Sequence, residues 1–271
     1  GGRRIIIKKL ANHWVEQGHT VDLLTTHDRG SPPHYPLSES VNFCSVDPQS
    51  SGILRQISIV LALRKKIRQA RPNVVVSFLN YTNILTLAAC RGLDIPVVVS
   101  ERLDPRVIGI GPAWSLARRL TYPKTACLVA QTPTAAALYE PLAPGRVRVI
   151  PNPVAAQPSS GHAPLGWGDP AQPTVLAVGR LQHQKGFDLA FKAMKQLPRE
   201  FESWRLVILG EGSLRGELEQ LRDNLNLTDR IFMPGRVADP WPWLNQAQIF
   251  LMSSRSEGFP NALCEAMAAG L

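Results

Sequence analysis

Two carboxylates eight positions apart, Glu257 and Glu265, are the residues whose placement points most directly to chemistry. Glu257 follows an apolar run over 248–252 and sits in a turn holding Gly258. Pro260 suits the first turn of a helix, which puts Glu265 in that helix's second turn. A carboxylate accepts two hydroxyl hydrogen bonds, a match for the vicinal hydroxyls of a sugar or ribose. The amides of Gly258 and Phe259 fall where a helix N-terminus draws phosphate. Upstream, Gly179-Arg180-Leu181 closes another apolar run, and Lys185-Gly186 opens the next helix. An arginine fork and a lysine point charge together neutralise a departing diphosphate without a metal. Taken singly, each cluster also fits a solvated surface.

Such residues act together only if a sheet gathers them, because ligands in open α/β sheets bind beyond the carboxyl ends of the strands. The pattern supplies two such sheets. In the first half a helix over 4–17 stops at Gly18, and strands follow at 21–25 and 41–46. A long helix over 53–71 is halted by Pro72, then strands come at 74–79, 97–100, 127–131 and 147–150 with helical segments between. The Arg64, Lys65, Lys66, Arg68 and Arg71 cluster suits the negative end of its own helix dipole. In the second half strands at 174–179, 205–210, 230–233 and 248–252 alternate with helices near 186–197, 213–226 and 259–269. Continuous apolar runs alternating with helices imply parallel sheets covered on both faces. The Pro-, Gly- and Ser-rich stretch between the halves reads as a linker. The expected fold is α/β: a Rossmann-like domain over 1–153, a linker over 154–172, and a second Rossmann-like domain over 173–271, facing a cleft. Residue 1 enters almost directly into a helix and one residue follows Gly270, so periodicity predicts truncation at both ends, with one strand in front and several elements behind.

Composition narrows the partners. At 271 residues with 44% hydrophobic and 19% charged side chains the chain reads as an ordinary globular protein. It has no apolar run near the ~20 residues that cross a bilayer, and no secretory signal at its start. Four scattered cysteines without metal-ligand spacing read as buried thiols in a reducing cytosol. Residues 1–150 hold 19 Lys+Arg against 9 Asp+Glu, a net of +10, whereas the remainder nets −1. An anionic membrane surface or acidic substrate suits that asymmetry; nucleic acid does not, because no aromatic-and-basic interleaving accompanies it. His13, His19, His27, His34, His162 and His183 share no ligand spacing, so no zinc site is expected. His183, between Arg180 and Lys185, is read as a solvated loop histidine.

Over about ninety residues come, in order, Gly179-Arg180 and Lys185-Gly186, Leu209-Gly210-Glu211-Gly212, Pro234-Gly235, Ser253 with Glu257-Gly258-Phe259-Pro260-Asn261, and Glu265-Ala266-Met267-Ala268-Ala269-Gly270. With this set the chain resembles glycosyltransferase family 4, retaining enzymes of the GT-B fold, over nearly its whole length. Gly1-Gly2 and the helix ending Gln17-Gly18-His19 look like that family's acceptor-side glycine loop and first helix. Ser77-Phe78-Leu79 with Asn83, and Ser100-Glu101-Arg102 with Asp104-Pro105, resemble the subgroup building bacterial exopolysaccharide, O-antigen and lipid-linked oligosaccharides.

The resemblance implies transfer of a hexosyl or N-acetylhexosaminyl group from a nucleotide sugar, UDP-linked by expectation, to a glycan or polyprenyl-diphosphate-linked glycan. Arg180 and Lys185 would grip the pyrophosphate beside Gly179, Glu265 would hold the ribose, and Glu257 would face the sugar. Gly258, Phe259, Pro260 and Asn261 would line the donor, with Gly1 and Gly2 approaching from the other domain. Where many relatives carry a histidine this chain has Ser100-Glu101-Arg102, so Glu101 or Arg102 is the expected sugar contact; an Arg102–Asp104 surface pair is the other reading. No cofactor or essential metal is implied. A cytoplasmic place at the inner face of the plasma membrane is expected, docked through the helix over 53–71 by Arg64, Lys65 and Lys66. The rival readings are a UDP-sugar epimerase of the same fold and a non-catalytic sugar-nucleotide-binding fragment.

Overall fold

The computed structural model describes residues 2–26, 37–46, 51–102, 109–154 and 172–271. It divides into two compact units, Gly1–Asn152 and Pro153–Leu271. Gly1, Asp104, Pro105, His27, His34, His162 and nearly all of the expected linker lie outside the described residues.

The first unit begins with α1 (Gly2–Glu16), so Gly2 heads a helix. That helix ends as expected at Gly18, whose φ of 84° lets the amides of Gly18 and His19 turn back onto the carbonyls of Val15 and Trp14. Then follow β1 (Val21–Thr25), β2 (Val41–Ser45), α2 (Gly52–Ala70), β3 (Val75–Phe78), α3 (Asn80–Ala89), β4 (Val97–Ser100), α4 (Pro112–Thr121), β5 (Cys127–Ala130), α5 (Pro133–Tyr139) and β6 (Val147–Val149). β1 and β2 form one parallel pair; β3-β4-β5-β6 form a second parallel sheet in sequence order. Sequential parallel strands need crossovers of one hand, which puts α3, α4 and α5 on one face of that sheet. α2 packs beside α3, and α4 on its other side. Ile59, Leu63 and Ile67 form the buried stripe of α2, closing a core with Ile84, Val97, Val99 and Leu128.

The cation cluster on α2 behaves differently from expectation. Arg64 donates to the carbonyls of Ala89 and Arg91, both at 2.7 Å, and so completes the C-terminus of α3 rather than of its own helix. α2 instead ends on Arg71 in the left-handed conformation, φ 45°.

At the carboxyl end of β4, Glu101 turns inward and is 2% exposed. Tyr122 donates to its Oε1, Asn83 Nδ2 to the same oxygen at 3.1 Å, and Tyr139 to Oε2 at 3.3 Å. This corrects the expectation of a sugar contact at Glu101: both carboxyl oxygens are engaged by interior side chains. Arg102 points elsewhere. It bonds Ser100 Oγ at 2.9 Å, reaches Asn152, and lies over the Phe78 ring with its guanidinium carbon 5.3 Å from the centroid.

The second unit runs β7 (Thr174–Val178), α6 (Phe187–Gln196), β8 (Arg205–Leu209), α7 (Arg215–Asn224), β9 (Ile231–Gly235), α8 (Trp241–Leu244), β10 (Ile249–Phe250) and α9 (Asn261–Ala268). Its strands are parallel, in the order β10-β7-β8-β9. Period-two alternation sends Ala177, Leu206, Ile208 and Ile231 to one core with Phe187, Phe191 and Leu218. Leu176, Val207 and Leu209 go to another with Trp241, Leu244 and Ala266. β9 continues through Pro234, past its expected end, because it is an edge strand whose ladder shifts register between Val207 and Leu209.

Burial pushes the Glu101 carboxyl above the ordinary range, its hydrogen bonds pulling partly back. A raised folded-state value favours the neutral carboxyl. Its contribution to stability is therefore full below the ordinary value of about 4.5 and is lost as pH rises through the raised one. Thermal melts of Glu101→Gln should show a shallower loss of stability with rising pH than the parent; parallel slopes would contradict this assignment.

Candidate active site

In the second unit the strands end along one edge, and two loop pairs are stitched there. The first joins the turns after β7 and β8. A Cβ on Gly210, at φ 153°, would stand 1.8 Å from the Gly179 carbonyl oxygen, so the backbones approach closely enough to require glycine. The Gly179 amide donates to Leu209 at 3.0 Å and the Leu181 amide to Glu211 at 3.1 Å. This brace holds the Gly179-Arg180 turn, and the Arg180 side chain is exposed beyond it.

The second stitch joins the turn 183–186 to the chain after β10. Gly186 caps α6 at φ 63°, and a Cβ there would lie 2.1 Å from the Ser253 carbonyl oxygen. Around that contact the Arg255 amide donates to the Gln184 carbonyl (2.8 Å), Gln184 Nε2 to Ser256 (2.8 Å) and Ser253 Oγ to Lys185 (2.9 Å). Arg255 forms a fork to Asp188 at 2.8 and 2.7 Å and also reaches the His183 carbonyl at 2.8 Å. Its hydrogen bonds hold the Asp188 carboxyl below the usual range.

These bonds bring two expected site residues into direct contact. Lys185 Nζ lies 2.5 Å from Glu257 Oε1, with both side chains about one-fifth exposed, and Ser254 Oγ donates to the same oxygen at 2.6 Å. In a pair this shielded the cost of desolvating both charges offsets much of their attraction, so its net contribution to stability is small. Its consequence is positional, because the ammonium and carboxylate share one point at the sheet edge. The sequence treats them as separate groups 72 positions apart.

Beyond Glu257 the backbone turns into α9. The amides of Gly258 and Phe259 donate to no backbone carbonyl among the described residues. Asn261 differs from expectation: its amide bonds the Phe259 carbonyl at 3.0 Å across Pro260 (φ −84°, ψ 72°), an inverse γ-turn, and is not available to a ligand. Glu265 occupies the second turn of α9 and is half-buried. The helix closes on Gly270, φ 91°, with the Leu271 amide bonded to Ala266 at 3.0 Å. The structure thus gathers Lys185 and Glu257 directly and puts Gly179, Arg180, Gly258, Phe259, Pro260 and Glu265 on turns or helix starts at strand ends. Arg255 and Asp188 are site-shaping residues that the sequence reading misses, since an ion pair 67 positions apart leaves no local signal.

Gly186→Ala puts a Cβ inside the Ser253 carbonyl and imposes a left-handed φ on alanine. Urea unfolding should show the second unit weakened by about 1–3 kcal/mol. Parent-like stability would contradict the close approach.

Residues 1–153 match the glycosyl transferase 4-like domain, and residues 168–271 match the glycosyl transferases group 1 model. Over 278 aligned positions the chain is 28% identical to a Campylobacter jejuni protein named GalNAc-alpha-(1->4)-GalNAc-alpha-(1->3)-diNAcBac-PP-undecaprenol alpha-1,4-N-acetyl-D-galactosaminyltransferase, covering 98% of this chain and 73% of that one. Among solved structures, sucrose-phosphate synthase from Thermosynechococcus elongatus superposes with a TM-score of 0.80 at 18% identity, covering all of this chain and 74% of that one. Anabaena HepE in complex with UDP and glucose superposes at 0.74 with 16% identity, covering 100% and 76%. With both domain models matched in order and two parallel-sheet units at hand, the chain belongs to the GT-B glycosyltransferases of the family 4 type.

Proposed function

We propose that this glycosyltransferase moves a hexose or N-acetylhexosamine from a UDP-sugar to a glycan or polyprenyl-diphosphate-linked glycan in cell-surface polysaccharide synthesis, with retention at the anomeric carbon. The observation that carries the reading is the Lys185–Glu257 pair at the sheet edge, beside the amides of Gly258 and Phe259. The Campylobacter relative's name specifies an undecaprenol-diphosphate acceptor, and the Anabaena structure holds UDP and glucose. Both support the choice of acceptor and donor. The relatives give the epimerase alternative no support.

In this reading the donor meets an ion pair already formed. The Lys185 ammonium and the Arg180 guanidinium take the diphosphate, while Glu257 faces the sugar hydroxyls and Glu265 holds the ribose. The bond from the anomeric carbon to the phosphate oxygen breaks, its electron pair leaving with UDP. The acceptor oxygen bonds to the same face of the sugar, and its proton passes to a donor phosphate oxygen. Lys185, held by Glu257, and Arg180, carried on the braced turn, supply two cations for the developing charge, so the reaction is proposed to need no essential metal. Arg102 remains the candidate acceptor-side contact. The site of action is proposed to be the cytoplasmic face of the membrane.

A radiolabelled UDP-sugar transfer assay tests this. Arg180→Ala and Lys185→Ala should each lower kcat about 10²–10³-fold, the range for removing one hydrogen-bond donor from a site of developing negative charge. Glu265→Gln should act mainly on the donor KM. Parent-like turnover in both cation variants, or UDP binding with no transfer to any acceptor, would contradict the proposal.

A further inference from the structure

On α2 the face opposite the buried Ile59, Leu63 and Ile67 carries Leu54, Ile57, Leu61, Lys65 and Arg68 in one stripe at helical spacing, with Ile53 at its edge. The four apolar side chains of this group are 52–77% exposed. The stripe changes character along its length, aliphatic in the first half and cationic in the second. A shallow groove of about 340 Å³ lies at the change, lined by Leu61, Arg64, Lys65, Arg68 and Gln69. On α4, two helices along the same layer, Leu116 and Leu120 are 59% and 69% exposed beside Arg119, and no residue of that helix is fully buried. α3 packs between the two, its exposed Tyr81 set edge-on against Trp114 of α4 at 4.8 Å.

We infer that the outward face of α2 and α4 is a docking surface for an anionic lipid bilayer. Charge complementarity selects that occupant. None of α2, α3 and α4 contains an acidic residue, while α2 and α4 together carry seven Lys and Arg. A second copy of this chain would set cations against cations. Nucleic acid would leave the exposed leucines and isoleucines without an apolar partner. A bilayer surface with anionic headgroups answers both halves of the stripe: acyl chains for Leu54, Ile57, Leu61, Leu116 and Leu120, headgroup phosphate for Lys65, Arg68 and Arg119. The surface also revises the docking residues read from the sequence. Arg64 is engaged by the C-terminus of α3, and Lys66 projects from the side of α2 opposite Ile57, off the stripe. The biological sense of the surface rests on the proposed lipid-linked acceptor, but its existence is tested without any donor or acceptor.

The experiment is co-sedimentation of the chain with vesicles of phosphatidylglycerol and phosphatidylethanolamine. Lys65→Glu with Arg68→Glu, and Leu54→Glu with Leu61→Glu, are compared with Lys195→Glu in the second unit as a control. All sites are exposed, and circular dichroism melts check that each variant folds. Binding should rise with the phosphatidylglycerol fraction and fall with salt. Each double variant should lose at least tenfold in partitioning, and the control should not. Failure of the parent chain to bind, equal binding to neutral vesicles, or unchanged partitioning in both double variants would overturn the inference. So would a self-association of the parent, without vesicles, that the same substitutions abolish. Transfer to a short soluble acceptor, assayed alongside, should be unaffected by the four substitutions; vesicle binding by a chain that transfers nothing would uphold the surface while removing the transferase reading.

Discussion

At Gly186 the place a Cβ would take is crowded by the carbonyl oxygen of Ser253, 2.1 Å from it, and the candidate site of the second unit is built around that approach. The two segments come from different parts of the chain, one entering α6 and the other leaving β10. Once they touch, short bonds close on either side: Gln184 to Ser256, Arg255 to Asp188, Ser253 to Lys185. Among the described residues, the carboxylate that Lys185 then meets is Glu257. The cation proposed for the diphosphate and the anion proposed for the sugar are thereby fixed before any donor arrives. Preorganisation of this kind is where electrostatic catalysis gains most, because little reorganisation remains for the reacting state.

The first unit uses buried polarity in another way. Glu101 stands at the end of β4, yet Tyr122, Tyr139 and Asn83 draw its carboxyl into the interior. The next residue, Arg102, is then the one left near the strand's carboxyl end, braced by Ser100, Asn152 and the Phe78 ring. Both residues lie just past β4, where their side chains part: Glu101 takes interior partners, Arg102 takes Ser100 and Asn152. Of the two residues the sequence offers, the interior partners of Glu101 leave Arg102 as the candidate contact.

Much of the architecture is legible in the sequence because it rests on local signals. The apolar runs at 21–25 and 97–100 coincide with β1 and β4, and Gly18 stops α1 where predicted. What depends on distant partners is not legible. Pro234 reads as a strand end, but an edge position with a shifted register absorbs it. The run over 248–252 pairs as a strand only at Ile249–Phe250, because the chain must leave the ladder to reach Gly186. Arg64 looks like a cap for its own helix, whereas tertiary packing brings the open carbonyls of α3 closer. The site follows the same rule. Residue types and order nominate Arg180, Lys185, Glu257 and Glu265 as candidates, while the Lys185–Glu257 contact, the Arg255–Asp188 brace and the occupied Asn261 amide need the folded chain.

The most direct test of the account is a calorimetric comparison of UDP with UMP, on the parent chain and on Lys185→Met. If the stitched loops present a diphosphate-binding cation, the parent should bind UDP at least tenfold more tightly than UMP, and Lys185→Met should remove most of that preference. Equal affinity for the two nucleotides in the parent, or an undiminished preference in Lys185→Met, would contradict it.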